Sequence, residues 1–162
     1  GLNNIEEVAE RHFSGVEVQL CSVHLQREIC NRVRPKDKRA ISSKLSEVFR
    51  KNDPKRTVED GVKDFSKFAK EWHEHYPFLS KIADGERIYY YFTYLKYDVV
   101  VRRYIHSTNW IERFNRQIKK GATYKCAFPS VDSALHLVGS IALNSSYLGR
   151  RIGDLIGGLK KL

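Results

Sequence analysis

Apolar positions recur at helical intervals along most of this chain. Ile5, Val8, Ala9 and His12 share one face of a helix predicted over residues 2–13, and Ser14-Gly15 breaks it. Val16 to Leu20 alternates instead, the pattern of a single strand. Residues 24–34 resume a helix that stops at Pro35. From Lys36 to about Arg50, Ile41, Leu45, Val48 and Phe49 return at helical spacing, and Asp53-Pro54 closes the segment. Thr57 is placed to cap the next helix. Its Val58, Val62, Phe65, Ala69 and Trp72 share a face as far as the Tyr76-Pro77 stop.

The run from Ile88 to Val101 is rich in aromatic and β-branched residues, which suits a strand, yet a buried helix fits as well. Its tyrosines could stack on bases, but aromatics at helical spacing usually face a core, and core packing is the expectation. Beyond His106 the pattern sharpens. Trp110, Ile111, Phe114 and Ile118 form an apolar stripe, while Asn109, Glu112, Arg113, Arg116, Lys119 and Lys120 point the other way. Ser107, Thr108 and Asn109 are N-cap candidates and Gly121 is a C′ stop, which puts Glu112 in the first turn. With Asn109 as the cap, Glu112 takes the N3 place of a capping-box-like pair and also precedes Arg116 by four residues. On periodicity alone that structural role is sufficient.

Gly121 to Pro129 is expected to be a loop, with Tyr124, Lys125 and Phe128 as DNA or core contacts. Ser130 caps a helix through about Leu143 that carries Val131, Ala134, Leu135, Val138, Ile141 and Ala142. In the tail, Gly149, Gly153, Gly157 and Gly158 weaken any helix between Leu148 and Leu162.

Charge changes the picture more than composition does. With 41% hydrophobic and 30% charged residues in 162, the chain has the balance of one ordinary globular domain rather than a disordered segment. Its 29 lysines and arginines against 19 acids leave a net charge of +10, which makes a polyanion, and nucleic acid by default, the expected partner. The cations gather at Arg27 to Arg39 and Arg113 to Lys125 rather than in a tail. An odd count of 3 cysteines argues against a disulfide framework, so Cys21, Cys30 and Cys126 are expected to be reduced. Cys21 and His24 would make one zinc-ligand pair, but no second pair stands at finger spacing, which disfavours structural zinc. No apolar run reaches membrane-spanning length and no secretory signal is visible, so an intracellular protein without a membrane partner is expected. There is no internal repeat and no Gly-rich nucleotide loop.

The stretch Thr108-Asn109-Trp110-Ile111-Glu112-Arg113-Phe114-Asn115-Arg116-Gln117-Ile118-Lys119 resembles the signature Thr-Asn-x-Ile-Glu-x-x-Asn-Arg-x-x-Lys/Arg of Mutator-type insertion-sequence transposases. Val16 to His24 is similar to that family's short strand followed by Cys-x-x-His, here Cys21 and His24, and Phe128-Pro129-Ser130-Val131-Asp132-Ser133-Ala134 resembles its closing segment. Three matches in register cover nearly the whole chain.

The resemblance implies the distal part of a ribonuclease-H-like α/β DDE catalytic domain, mainly α in this stretch. Residues 1–35 would be the distal ribonuclease-H-like segment, 36–103 a helical insertion, and 104–162 the catalytic Glu helix and a closing helix. It favours a helix over Arg87 to Leu95 ending near Asp98, then a loop over Val99 to Ile105. Glu112 would be the last acid of the Asp-Asp-Glu triad and a ligand of Mg²⁺ or Mn²⁺. His24 would hydrogen-bond the scissile phosphate, and Cys21 and Asn109 would be structural members of their motifs. Arg27, Arg32, Arg34, Arg113, Asn115, Arg116, Lys119 and Lys120 would contact DNA. In this family the second Asp immediately precedes a Gly-hydrophobic pair, and the chain opens on Gly1-Leu2 without any methionine, so two of the three acids are expected upstream and the chain alone is expected to be inactive. The implied reaction is phosphodiester cleavage and strand transfer at insertion-sequence ends. The implied partners are duplex DNA, at transposon ends and target, and further copies of the protein in the prokaryotic cytoplasm. The alternative, from the charge alone, is a non-catalytic basic helical module that binds DNA or a protein.

Overall fold

The computed structural model describes residues 5–145, and these are mainly α-helical. They belong to two compact units, Gly1–Ser107 and Thr108–Leu162. The Gly1-Leu2 start and the glycine-bearing tail from Leu148 lie outside the described residues.

The first unit contains α1 (Ile5–His12), α2 (Ser22–Arg32), α3 (Pro35–Val48), α4 (Val58–Glu71), α5 (Phe78–Ala83) and α6 (Val99–Ile105), with two 3-10 turns, Glu86–Tyr91 and Thr93–Lys96, before α6. The starts follow local chemistry. Pro35 occupies the first position of α3, where its missing N–H costs nothing. Thr57 caps α4 through a reciprocal pair: Asp60 N–H donates to Thr57 Oγ1 at 3.2 Å, and Thr57 N–H to Asp60 Oδ2 at 3.0 Å. Such a cap contributes about 1 kcal/mol.

α4 is central, packing against α3, α5 and both 3-10 turns. The predicted periodic positions Ile41, Leu45, Val48, Val58, Phe65 and Ala69 are all buried. Phe49 stacks on Phe92 with centroids 4.9 Å apart and planes 8° apart. Gly61 is what lets α4 approach: a Cβ there would sit 2.4 Å from Phe92 Cδ1.

Two expectations fail at one place, for one reason. Val16 to Leu20 forms no strand, and no strand occurs among the described residues. The segment between Arg87 and Leu95 is two 3-10 turns rather than an α-helix. This segment gives hydrogen bonds to those turns instead of to a sheet. Leu20 N–H donates to Tyr90 O at 2.8 Å, Gln19 Nε2 lies 3.3 Å from Tyr91 O, and Tyr94 N–H donates to Gln19 Oε1 at 2.6 Å. A side-chain amide that takes up main-chain groups at the break competes directly with the helical i to i−4 ladder. Glu17 pins the same segment, hydrogen-bonded to Lys96 and, at 3.0 Å, to Tyr97 Oη, and these bonds hold its carboxyl below the ordinary range.

The aromatic run divides by position. Ile88, Phe92, Tyr94 and Leu95 are buried as expected, whereas Tyr89 and Tyr97 are exposed. The predicted loop over Val99 to Ile105 is α6, started by Asp98, whose Oδ1 accepts from Val100 N–H at 2.8 Å. The β-branched triplet Val99-Val100-Val101 masks a cap that was readable in the sequence.

The second unit, as described, is α7 (Asn109–Lys125) and α8 (Val131–Asn144) packed on each other. Ser130 caps α8 as predicted, in a reciprocal pair with Ser133. Gly121 is not a C′ stop. It lies inside α7, which runs to Lys125, and a Cβ there would be 3.1 Å from Leu137 Cδ1, so this glycine serves helix contact. The turn past α7 falls to Cys126, whose φ of 57° is in the left-handed region usually left to glycine. The predicted apolar stripe of α7 is only partly covered: Phe114 and Ile118 are half-buried, but Ile111 is 61% exposed.

Candidate functional site

Glu112 is the carboxylate that the sequence singles out, and the start of α7 sets its surroundings. The helix begins at Asn109 with Thr108 as N-cap, so Asn109 is not the cap and Glu112 is the fourth helical residue rather than the third. The capping-box reading of Asn109 and Glu112 therefore falls. Thr108 makes no side-chain cap; Glu112 N–H bonds to Thr108 O at 2.9 Å, and the Thr108 hydroxyl donates to Glu112 Oε1 at 2.8 Å. The carboxylate is half-buried in the first turn, where the aligned peptide dipoles favour negative charge.

Along the same helix Arg113, Asn115, Arg116, Lys119 and Lys120 are exposed, as a surface for phosphate requires, and Tyr124 follows at 78% exposure. The unit thus presents a basic helix with one held carboxylate near its start.

In the first unit, Cys21 is the N-cap residue of α2, half-buried and without a side-chain cap bond, and His24 is exposed in the first turn. Arg27, Arg32 and Arg34 are exposed on α2 and at the start of α3. They are not equivalent. Arg32 stacks over the Phe78 ring at 3.9 Å and pairs with Glu28 at 3.5 Å, so its guanidinium is partly committed within the fold. Arg34 lends its main-chain N–H to Tyr76 Oη at 3.1 Å, and Tyr76 donates in turn to Asp37 Oδ2 at 2.5 Å.

Two cations that the spacing of residues does not mark are interior. Arg56 and Arg102 are each 3% exposed. Arg56 pairs with Asp64 at 2.7 Å, and Arg102 donates to the carbonyls of Tyr97, Asp53 and Leu95 at 2.8, 2.6 and 3.0 Å. Both count toward the net charge, and neither is available to a polyanion. The only hint in the sequence was an arginine directly after three valines. His106 is unmarked in the same way: its imidazole pKa is pushed down, first by burial and then by the Lys51 ammonium.

The family model of the Mutator family transposases matches residues 1–148. The chain belongs to that family. It is 26% identical over 144 residues to the transposase for insertion sequence element IS1201 of Lactobacillus helveticus, an alignment covering 89% of this chain and 38% of that protein. It is 27% identical over 154 residues to the transposase for insertion sequence element ISRM3 of Rhizobium meliloti (strain 1021), covering 93% and 37%. A probable insertion-sequence transposase of Corynebacterium diphtheriae is 30% identical over 139 residues, covering 83% and 38%. The chain therefore spans less than two fifths of the length of the curated relatives it matches. No solved structure matches it. No helix among the described residues is long and apolar enough to cross a membrane.

Proposed function

We propose that this chain supplies Glu112 to the catalytic centre of a DDE transposase that cleaves and joins phosphodiester bonds at the ends of an insertion sequence. Glu112 is read as the last acid of the Asp-Asp-Glu set and His24 as a hydrogen-bond partner of the scissile phosphate. The observation that carries the reading is the position of Glu112: a solvent-reachable carboxylate, oriented by Thr108, in the first turn of an exposed basic helix in a member of this family.

The donor chemistry fits a hard divalent ion, because a carboxylate oxygen is the ligand that Mg²⁺ or Mn²⁺ prefers. When bound, such an ion polarises the phosphate and favours the attacking hydroxyl in its ionised form. The chain's own part is to hold Oε1 of Glu112 through the Thr108 hydroxyl and to draw the phosphate backbone onto Arg113, Arg116, Lys119 and Lys120. Asn115, Arg27, Arg32 and Arg34 extend the DNA surface, with Arg32 contributing least because Phe78 and Glu28 already engage it. The two remaining acids, a ribonuclease-H-like sheet, the insertion over residues 36–103 and assembly of several copies on duplex DNA in a prokaryotic cytoplasm belong to the same reading.

The test is transposition in cells by the intact protein carrying Glu112→Gln, beside thermal melting of the purified variant. Gln keeps the shape and can still accept from Thr108, so activity should vanish while the melting temperature holds. Preserved transposition would refute the assignment in favour of a non-catalytic DNA-binding module.

A further inference from the structure

Within the first unit three segments meet at His106, the residue that closes α6. Its carbonyl oxygen accepts from Ser22 N–H at 3.2 Å and from the Ser22 hydroxyl at 2.9 Å, and Ser22, the first residue of α2, is 1% exposed. Its Nδ1 lies 3.1 Å from Arg102 O, and its Nε2 lies 3.1 Å from Lys51 Nζ in the connection between α3 and α4. Tyr94 packs edge-on against the ring at 6.3 Å.

These partners select one state of the imidazole. A carbonyl only accepts, so Nδ1 carries the proton; an ammonium only donates, so Nε2 is the bare acceptor. Protonating Nε2 would set two donors and two positive charges against each other at the Lys51 contact.

We propose that His106 is a positioning residue for the DNA reaction: its main-chain carbonyl holds the first turn of α2, which carries His24, while its ring, as the neutral Nδ1–H tautomer, fixes that carbonyl by tying the end of α6 to Lys51. The inference rests on the role proposed above for His24. The charged and titratable groups around the ring are Lys51, Arg102 and Arg103 of α6, and Tyr94 from the second 3-10 turn. The Arg102 guanidinium is bonded to main-chain carbonyls, and the Tyr94 hydroxyl, pushed up to about 12 by burial, stays neutral. Lys51 is thus the cation that answers the state of the ring.

The sign follows from the lowered imidazole pKa. The clamp is complete above the free imidazole value of about 6.5 and is lost as the pH falls through the lower folded value. Amide hydrogen exchange at Ser22 in the intact protein, corrected for intrinsic rates, reads it directly. Wild-type protection should fall at least tenfold on the acid side. His106→Gln should keep protection at every pH, because its amide donates and accepts without titrating. His106→Leu should lose protection throughout, and Lys51→Met should move the acid limb to higher pH by removing the opposing cation. In strand-transfer assays His106→Leu should lower kcat at least tenfold with DNA affinity kept, and His106→Gln should restore it. Wild-type protection that ignores pH, or an acid limb that survives in His106→Gln, overturns the clamp. A fully active His106→Leu with lost protection overturns the positioning role. Failure of the parent reading is separate: it would appear as activity surviving Glu112→Gln, whatever exchange at Ser22 shows.

Discussion

Replacing Gly61 by alanine sets two known effects against each other inside α4. Alanine in a helix interior is favoured over glycine by about 1 kcal/mol, so propensity alone predicts a more stable protein. The new methyl would sit 2.8 Å from Phe92 Cγ and 2.4 Å from Cδ1, the latter about 1 Å inside ordinary carbon contact. Phe92 has nowhere to turn: it is fully buried, stacked on Phe49, and 6.4 Å from the Tyr94 ring. Overpacking of a closed core costs about 1 to 3 kcal/mol, and a contact this short belongs at the upper end. The net expectation is a loss of about 2 kcal/mol, or a fall in Tm of about 4 to 8 °C for a chain of this length.

Urea and thermal melts followed by circular dichroism measure it, with two comparisons. Gly139→Ala in α8 meets nothing within 4 Å, so only the propensity term remains and it should stabilise by about 0.5 to 1 kcal/mol. In a Phe92→Leu background the cost of Gly61→Ala should shrink, since the smaller side chain can yield. Gly61→Ala melting at or above wild type would show that α4 does not approach Phe92 this closely.

Two further outcomes follow from the charges. Replacing Arg113, Arg116, Lys119 and Lys120 with glutamine should weaken duplex binding at every sequence and flatten the slope of log affinity against log salt by up to about 3 to 4, measured by fluorescence anisotropy; an unchanged slope would take the phosphate contacts away from α7. Burial pushes the Tyr94 hydroxyl up to about 12, so the folded state holds a proton that the unfolded chain releases near pH 10, and stability should fall with rising pH across that window. Tyr94→Phe should flatten this part of the profile in alkaline urea melts, and an identical alkaline fall in the variant would assign it to other groups.

What was legible in the sequence was what depends on near neighbours. The spacing of Ile41, Leu45, Val48, Phe65 and Ala69 gave the buried faces, and Thr57 and Ser130 are the caps their side chains suggested. What failed depends on partners distant along the chain. Gln19 meets Tyr94 across 75 residues and turns both a predicted strand and a predicted helix into something else. Gly121 reads locally as a helix stop but answers to Leu137, and the depth at which Arg56 and Arg102 lie is invisible to a count of cations. For the candidate site, periodicity put Glu112 in a first turn, and only the motif distinguished it from an ordinary surface glutamate.

The start of α7 bears on that distinction. α4 and α8 each begin with a full reciprocal cap, Thr57 with Asp60 and Ser130 with Ser133. α7, the longest helix described, has three cap-forming residues in a row at Ser107, Thr108 and Asn109, yet Thr108 caps it by main chain alone. Forgoing a side-chain cap costs about 1 kcal/mol. The Thr108 hydroxyl donates to the Glu112 carboxylate at 2.8 Å. A bond from a neutral hydroxyl to a carboxylate is stronger than one between neutral groups, and it restricts a side chain that would otherwise move freely. α2, α3 and α5 also begin without a side-chain cap, so what distinguishes the start of α7 is the bond to the carboxylate rather than the missing cap. Fixing the direction of a single carboxylate is what a metal-ligating acid requires, so the Thr108–Glu112 bond at the start of α7 fits the reading of Glu112 as a working residue.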